Sequence, residues 1–202
     1  MKVLITGFEP FREREHNSSI EAVRRLPERI GEAEIVKGEL PVSFARAGEA
    51  LYALMDACLP DAVICVGQAA GRAKITVERI AINVQDASFP DNDWDQPVDR
   101  PVIEGAPAAY FSALPVKKIV KAIQDAGIPA DVSDTAGTYV CNAVMYALLD
   151  RVHREGQPIP AGFIHVPITP QQAVGRETDM PSMALSDIAD GLAAAIRVLE
   201  AR

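Results

Sequence analysis

The chain has 202 residues, of which 49% are hydrophobic, 24% charged and 5% aromatic. This is the composition of a globular protein, and it excludes a disordered chain, a collagen-like repeat and a small disulfide-stapled scaffold. The 20 Lys and Arg residues against 28 Asp and Glu residues leave a formal net charge of −8, which disfavours nucleic acid as a partner. A length of this order favours one domain, here residues 1–202.

The N-terminus and the cysteines bear on the cellular compartment. Residues 1–11 lack the apolar run and the cleavage site of a signal peptide, and no stretch approaches the roughly 20 apolar residues of a membrane span. The three cysteines include no CxxC pair, which argues against a disulfide framework or a zinc knuckle. We therefore expect a cytoplasmic protein with reduced thiols and no membrane partner.

The first half of the chain alternates short apolar runs with helical patterns. Ser18 and Glu21 offer a capping box for a helix through Leu26, and Ser43 is placed to cap a helix with Met55 on its apolar face. The apolar runs predict strands at Lys2–Thr6, Glu34–Leu40 and Asp61–Val66.

The second half continues the alternation. Gly127 occupies the position after a helix end that favours a left-handed residue. The predicted strands are Ile75–Val84, Ala130–Ser133 and Gly162–Val166, and the predicted helices are Pro115–Ala126, Tyr139–Arg154 and Pro181–Ala201. Strands and helices that alternate in this way predict an α/β protein, a three-layer α/β/α sandwich around a mixed, largely parallel sheet.

One long stretch interrupts this pattern. Residues 85–107 are rich in proline and acidic residues and show no periodicity. An insertion of this length in a compact domain is typical of a functional loop or an interface element, and a solvated excursion would also explain it.

Cys141 follows a turn of small residues at the start of a predicted helix. Backbone N–H groups and the helix macrodipole stabilise a thiolate at such a position, and free N–H groups there can receive the oxyanion of a tetrahedral intermediate. A buried, inert cysteine is the commoner alternative, and it suits Cys58 and Cys65 better than Cys141.

A cysteine nucleophile needs a base, and the chain has three histidines. His16 and His153 lie in charged surroundings typical of solvated side chains. His165 ends a predicted strand, where α/β sheets collect catalytic groups, although a core histidine with a backbone partner fits equally well. Glu78 lies in an apolar segment and needs a partner if buried, which either a histidine or the neighbouring Arg79 provides.

Four segments resemble motifs of the pyroglutamyl-peptidase I family, in the same order along nearly the whole chain. They are residues 6–11 (TGFEPF), residues 67–83 with the glutamate signature, residues 132–142 with the cysteine signature, and residues 162–167 (GFIHVP) with the histidine. The resemblance implies a cysteine peptidase that removes N-terminal pyroglutamyl groups from peptides. It implies Cys141 as nucleophile, His165 as base and Glu78 as the residue that orients the base.

The resemblance also implies a substrate pocket. A pyroglutamyl group is a neutral lactam, and a fitting pocket has apolar walls with a few amide partners. The residues implied are Phe8, Phe11, Asn17, Gln68, Tyr139 and Val140. Phe8 and Phe11 would form walls for the lactam ring, and Asn17 would brace residues 11–15, here called the first loop. Considered without the family, the two phenylalanines are ordinary core residues and Gln68 is a loop amide.

Three positions depart from the family pattern. Residues 12–15 (RERE) stand where glycines are usual, Ile168 where an aromatic residue is frequent, and Tyr139 where phenylalanine is common.

Relatives often form homotetramers, so we expect a homo-oligomer. No cofactor is implied, and the histidine spacing offers no metal site.

Two other functions compete with the peptidase. The same cysteine and histidine would serve an enzyme that cleaves a different acyl group, and charged side chains near Phe8, Phe11 and Gln68 would favour that alternative. A non-catalytic module that binds a lactam or a nucleotide on a similar fold is the third hypothesis.

Overall fold

The computed structural model describes residues 1–156, 158–175 and 178–200. The strands are β1 (Lys2–Phe8), β2 (Arg29–Ile30), β3 (Ala33–Leu40), β4 (Ala62–Gln68), β5 (Ile75–Glu78), β6 (Ile80–Ile82), β7 (Ala109–Phe111), β8 (Ala130–Ser133) and β9 (Ala161–Val166). The helices are α1 (Ser18–Arg25), α2 (Ala47–Cys58), α3 (Val116–Asp125), α4 (Val140–Glu155), α5 (Pro170–Ala173) and α6 (Leu185–Glu200).

Seven strands form one sheet in the order β2-β3-β1-β4-β9-β5-β8. β1 pairs in parallel with β3 and β4, β4 with β9, and β5 with β8, while the β2–β3 and β5–β9 pairs are antiparallel. β6 and β7 form a separate two-stranded sheet. The prediction of a mixed, largely parallel sheet is confirmed.

Side-chain alternation along the central strands builds a core on each face of the sheet. In β1, Val3 and Ile5 enter the core that contains residues of α1, α3 and α6, whereas Leu4 enters the core that contains residues of α2 and α4. β4 alternates in the same way, because Ile64 faces the first core and Cys65 the second. Two helical layers thus enclose the sheet, as the three-layer prediction requires.

Two predicted helix caps differ in the structure. The capping box at Ser18 is wrong, because Asn17 is the N-cap and its side chain accepts from the Ser19 N–H, while Glu21 turns to His16. The helix expected directly after Ser43 begins later, at Ala47. A turn fills the gap, and in it the Ser43 hydroxyl accepts from the Arg46 N–H at 3.1 Å.

The predicted strand Ile75–Val84 is two strands in different sheets. The Arg79 N–H donates to the Ser133 carbonyl, and the Arg79 carbonyl accepts from the Ser112 N–H, so the chain leaves the main sheet there and pairs with β7. Nothing in the residue pattern indicates this switch, because both halves are rich in β-branched and apolar residues.

The remaining boundaries shift by smaller amounts. α3 and α4 lie within a residue of their predicted ranges, and Gly127 has the expected positive φ of 80°. α6 starts at Leu185 instead of Pro181, and the predicted last residue, Ala201, lies outside the described residues. The short elements β2, β7 and α5 had no predicted counterpart. No described helix has the length and apolarity needed to cross a membrane.

Candidate active site

Glu78 and His165 meet across two neighbouring strands. The β5–β9 register pairs Thr76 with His165, so Glu78, two residues further along, projects diagonally from the same face. Its Oε1 lies 2.8 Å from His165 Nδ1, and both side chains are buried. The structure thus identifies the partners of these side chains: His165 is held by a carboxylate, and Arg79 pairs instead with Asp134, at 2.9 Å.

Arg72 adds a third member to this group. Its Nη1 lies 2.6 Å from Glu78 Oε1, and its Nη2 donates to the Thr135 carbonyl at 3.1 Å. The guanidinium thereby links the buried carboxylate to the turn that precedes α4. Sequence reasoning assigned Arg72 no role, because nothing in a loop arginine shows which carboxylate it will reach.

The charges of the pair follow from its partners. Burial raises the pKa of Glu78, but hydrogen bonds from His165 and Arg72 outweigh it, so the pKa lies below its ordinary value. Burial and the Arg72 charge lower the pKa of His165 and together outweigh the increase from Glu78, so this pKa also lies below its ordinary value. At neutral pH the site therefore holds a carboxylate beside a neutral imidazole, and the carboxylate favours the tautomer with its proton on Nδ1.

Cys141 lies on the same face of the sheet as His165. It is the second residue of α4, whose N-cap, Tyr139, provides no side-chain cap hydrogen bond. A Cβ atom added to Gly67 would lie 2.9 Å from Cys141 Sγ, so the thiol packs directly over Gly67. Gly67 is the register partner of His165 in the β4–β9 pair. The glycine thus makes the space in which the thiol approaches the strand that carries the imidazole.

The surroundings of Cys141 oppose ionisation of its thiol. Burial raises the pKa of Cys141 to about 12; the nearby Glu78 carboxylate adds to the increase and Arg72 opposes it. Burial therefore opposes the stabilisation of a thiolate expected at the helix N-terminus. Because close packing against β4 and the nearby carboxylate both disfavour the thiolate, a base is needed to remove the thiol proton.

A cavity of about 330 Å³ opens beside this group, and we call it the acyl cavity. Its lining includes Cys141 and every residue that the resemblance placed in the substrate pocket: Phe8, Phe11, Asn17, Gln68, Tyr139 and Val140. The sequence did not identify the other lining residues, which are Arg14, Val42, Ala70 and Phe89. Most of the walls are apolar and neutral, and Arg14 is the charged exception within the described chain.

The polar lining residues have defined partners. Asn17 caps α1 through its side-chain oxygen and donates through Nδ2 to the Glu9 carbonyl at 3.0 Å, which braces the first loop. The Gln68 side-chain oxygen accepts from the Ser18 N–H at 2.9 Å and from Gln172 at 2.8 Å. These bonds fix the orientation of the Gln68 amide at the cavity wall.

Residues 85–107, here the cover segment, supply the outer wall of the acyl cavity. The Phe89 ring lies 5.0 Å from the Tyr139 ring and 5.6 Å from the Phe11 ring. The Tyr139 hydroxyl donates to the Pro90 carbonyl at 3.1 Å. The segment expected to be functional or interfacial thus contacts the first loop and the start of α4.

Arg12 ties the first loop to the cover segment. Its N–H donates to Asn92 Oδ1 at 2.8 Å, and its guanidinium donates to the Pro90 carbonyl and lies 5.2 Å from the Trp94 ring. Arg12 has a φ of 51°, in the left-handed region that a glycine adopts without penalty. The departure from the family glycines is therefore compatible with the same loop, because these contacts hold the strained residue.

Cavity volume alone would have indicated a different candidate site. A larger cavity, of about 600 Å³, lies beside Tyr110, Phe111 and His153, but neither Cys141 nor His165 lines it. Within the described ranges, no three His, Cys, Asp or Glu side chains converge in a way that would hold a metal ion.

Comparison with known proteins identifies the family of the chain. The family model for pyroglutamyl peptidase matches residues 1–202. The pyrrolidone-carboxylate peptidase of Thermococcus kodakarensis is 54% identical over 98% of this chain and 96% of its own length, and that of Erwinia tasmaniensis is 53% identical over 98% and 92%.

Solved structures give the same result. The crystal structure of Bacillus amyloliquefaciens pyroglutamyl peptidase I matches with a TM-score of 0.96 and 44% identity, covering 100% of this chain and 97% of that one. A mutant pyrrolidone carboxyl peptidase from Pyrococcus furiosus matches with a TM-score of 0.95 and 42% identity, covering 100% and 99%. Fold and relatives define a hydrolase of the peptidase class. The chain belongs to the pyroglutamyl peptidase family.

Proposed function

We propose that the chain is a cysteine exopeptidase that removes an N-terminal pyroglutamyl (5-oxoprolyl) group from peptides, with residues 1–202 acting as one catalytic domain. One observation carries this proposal: Cys141 lines a cavity with apolar walls and packs over Gly67, the register partner of His165, whose imidazole is hydrogen-bonded to Glu78. A nucleophile, a base with its orienting carboxylate and a place for the acyl group lie together.

Acylation begins with two neutral groups. His165 takes the proton of the Cys141 thiol as Sγ attacks the pyroglutamyl carbonyl carbon, and Glu78 stabilises the imidazolium that forms. The backbone N–H groups in the first turn of α4 receive the oxyanion. The imidazolium then gives its proton to the departing amine, the C–N bond breaks, and a thioester to Cys141 remains.

Deacylation repeats these roles with water. His165 removes a proton from water, the resulting oxygen attacks the thioester carbonyl, and the C–S bond breaks as the thiolate takes the proton back. The free acid leaves, and the neutral Cys141–His165 arrangement is restored. Each step moves protons between groups at the site.

The cavity suits the proposed acyl group. The Phe8 and Phe11 rings and Val140 supply apolar walls for the lactam ring, and the fixed Gln68 amide supplies a polar partner. A volume of about 330 Å³ is near the lower end of the roughly 300–1,000 Å³ of ligand pockets, as a small acyl group requires.

The test is the release of a fluorescent amine from a pyroglutamyl amide under reducing conditions. We expect turnover by the wild type, none by Cys141→Ala, and no turnover of the matching proline and alanine amides. Cys58→Ala serves as a control, because Cys58 ends α2 away from the acyl cavity and should leave turnover unchanged. Turnover that survives Cys141→Ala would overturn the mechanism, and a folded, reduced wild type without turnover would overturn the substrate.

The presence of Arg14 in the cavity lining favours the competing hypothesis of a different acyl group, because a charged side chain suits a charged substrate. Its side chain is exposed, however, whereas Phe8 and Asn17 in the deep wall are buried and uncharged. A succinyl amide in the same assay distinguishes the two acyl groups, and we expect no turnover of it.

The assembly and the location are proposals as well. We propose a homotetramer in the cytoplasm, supported by the family resemblance and by the exposed apolar side chains of the cover segment, Trp94 and Val98 among them. Light scattering at micromolar concentration tests the assembly, and a monomer would refute it.

A further inference from the structure

Arg14 joins the acyl cavity to a second depression, which we call the outer groove. The outer groove has a volume of about 560 Å³ and is lined by the first loop and the cover segment. Phe11 and Arg14 line both spaces. A chain that leaves the acyl cavity along the first loop must therefore pass the Arg14 side chain.

The Arg14 guanidinium is available to a ligand. Its side chain forms neither an ion pair nor a hydrogen bond within residues 1–156, 158–175 and 178–200. Glu13 and Glu15 flank it in the sequence, and neither carboxylate pairs with it there. By contrast, the Arg12 guanidinium donates to the Pro90 carbonyl and lies near the Phe11 and Trp94 rings.

The position of Arg14 suits contact with the leaving group of the substrate better than contact with the acyl group. The buried residues of the lining, such as Phe8 and Val140, surround the deep part of the acyl cavity beside Cys141. Arg14 is exposed at the border with the outer groove. With the lactam in the deep part, a peptide that leaves along the first loop brings the residue after pyroglutamate to this border.

We propose that Arg14 is a specificity-determining residue that binds a carboxylate on the residue after pyroglutamate. The carboxylate belongs either to an acidic side chain at that residue or to the free C-terminus of a pyroglutamyl dipeptide. An arginine favours both, because its planar guanidinium matches a carboxylate with two parallel hydrogen bonds. The inference rests on the proposed peptidase function and extends it to the leaving group.

The effect is a modest one because Arg14 is exposed and its interactions are screened by solvent. Exposed ion pairs are worth about 0.2–1 kcal/mol, which corresponds to a preference of up to about fivefold in kcat/KM. Added salt should reduce the preference, since charges at the surface are screened at high ionic strength.

The experiment compares matched peptides with the wild type, Arg14→Gln, Arg14→Lys and Arg14→Glu. One arm measures the ratio of kcat/KM for pyroglutamyl-Glu-amide to that for pyroglutamyl-Gln-amide. The other arm measures the same ratio for pyroglutamyl-Ala and pyroglutamyl-Ala-amide. Arg25→Gln is the control for net charge, because Arg25 is exposed at the end of α1 and lines neither space.

We expect the wild type to prefer the anionic peptide in at least one arm, and that arm identifies the carboxylate. Arg14→Gln should bring the ratio to about one, Arg14→Lys should retain part of the preference, Arg14→Glu should reverse it, and Arg25→Gln should match the wild type. A wild-type ratio near one in both arms, or a preference that survives Arg14→Gln, would overturn the proposal. Absence of turnover of all four peptides by the wild type would instead refute the peptidase function.

Discussion

Two regions meet at the acyl cavity, and they are built differently. Glu78 and His165 project from paired strands, are buried and lie 2.8 Å apart. The outer wall of the cavity consists of the first loop and the cover segment, where Phe89 is 47% exposed. Strands within a packed core hold side chains more precisely than loops do, and loops accept more change in sequence. The reacting groups are thus fixed independently of the groups that meet the peptide, and mutations should separate the two.

The largest effect is expected at the strand-borne pair. In Glu78→Gln the carboxamide can donate towards His165 Nδ1, which favours the tautomer with its proton on Nε2 and removes the base. We expect kcat/KM to fall about 10³- to 10⁴-fold, the loss that follows the same carboxylate-to-amide change in a serine-protease triad. Steady-state kinetics with the pyroglutamyl amide measures it.

Glu21→Gln is the matched control for this change. Its Oε1 contacts His16 Nδ1 at 2.7 Å, the same type of contact, but outside the acyl cavity. We expect kcat/KM of Glu21→Gln to stay near that of the wild type. Equal losses in the two variants would contradict the role proposed for Glu78.

A second prediction concerns the space beneath the thiol. A Cβ atom in Gly67→Ala would lie 2.9 Å from Cys141 Sγ and 2.8 Å from Phe163 Cζ, so the thiol or the ring must move. Because a displacement of about 1 Å at a reacting atom can cost on the order of 10²-fold, we expect a loss of that size in kcat/KM. Kinetics and thermal unfolding measure the two consequences.

Gly48→Ala controls for the substitution itself. Gly48 lies in α2, and the nearest atom to an added Cβ is the Ala147 Cβ at 3.7 Å, an ordinary contact. Replacing glycine by alanine in a helix should stabilise the protein by about 0.5–1 kcal/mol and leave kcat/KM unchanged. If Gly67→Ala behaved like Gly48→Ala, close packing of the thiol over the strand would be refuted.

The third prediction tests the guanidinium that sequence reasoning missed. In the wild type, burial holds the pKa of His165 below its ordinary value, so activity should fall only when the pH drops below about 6.5. The Arg72 charge also lowers the pKa of His165, and its loss in Arg72→Gln should raise that pKa. The acid limb of the kcat/KM profile then moves to higher pH, and the loss of kcat/KM relative to the wild type should grow as the pH falls.

Lys74→Gln tests whether any lost cation has this effect. Lys74 pairs with Asp131 at 3.3 Å, and both side chains are exposed. We expect its acid limb to coincide with that of the wild type. An unchanged limb in Arg72→Gln, or the same movement in both variants, would show that Arg72 does not set the charge balance at His165.

The difference between the two regions also explains what the sequence could predict. The strands that carry His165 and Gly67 are short, continuous apolar runs, which is why their positions could be predicted from the sequence. Motifs therefore identified Cys141, His165 and Glu78 as a group, although no spacing predicted the Glu78 contact itself. That contact depends on a strand register between residues far apart in the chain.

The loop region was less predictable for a physical reason. The cover segment has no periodicity, so neither the Phe89 contacts nor the bond from Arg12 to Asn92 could be inferred. The raised pKa of the Cys141 thiol could not be inferred either, because helix position is visible in a sequence, whereas burial is not. The switch of sheets at Arg79 was hidden for the same reason, since it is a tertiary choice between two acceptable partners.

The smallest effect is expected where the two regions touch. Tyr139→Phe, a change towards the family pattern, removes the hydroxyl that donates to the Pro90 carbonyl and so loosens the cover segment over the acyl cavity. One such bond contributes about 0.5–1.5 kcal/mol to the free energy of unfolding.

Tyr52→Phe is the control, because it removes an equivalent bond to the Ala147 carbonyl, at 2.9 Å, away from the cavity. Both variants should lose similar stability in urea unfolding, but only Tyr139→Phe should raise KM, by severalfold, with kcat nearly unchanged. A fall in kcat without a change in KM would show that the cover segment positions the reacting groups, and the separation of the two regions would then fail.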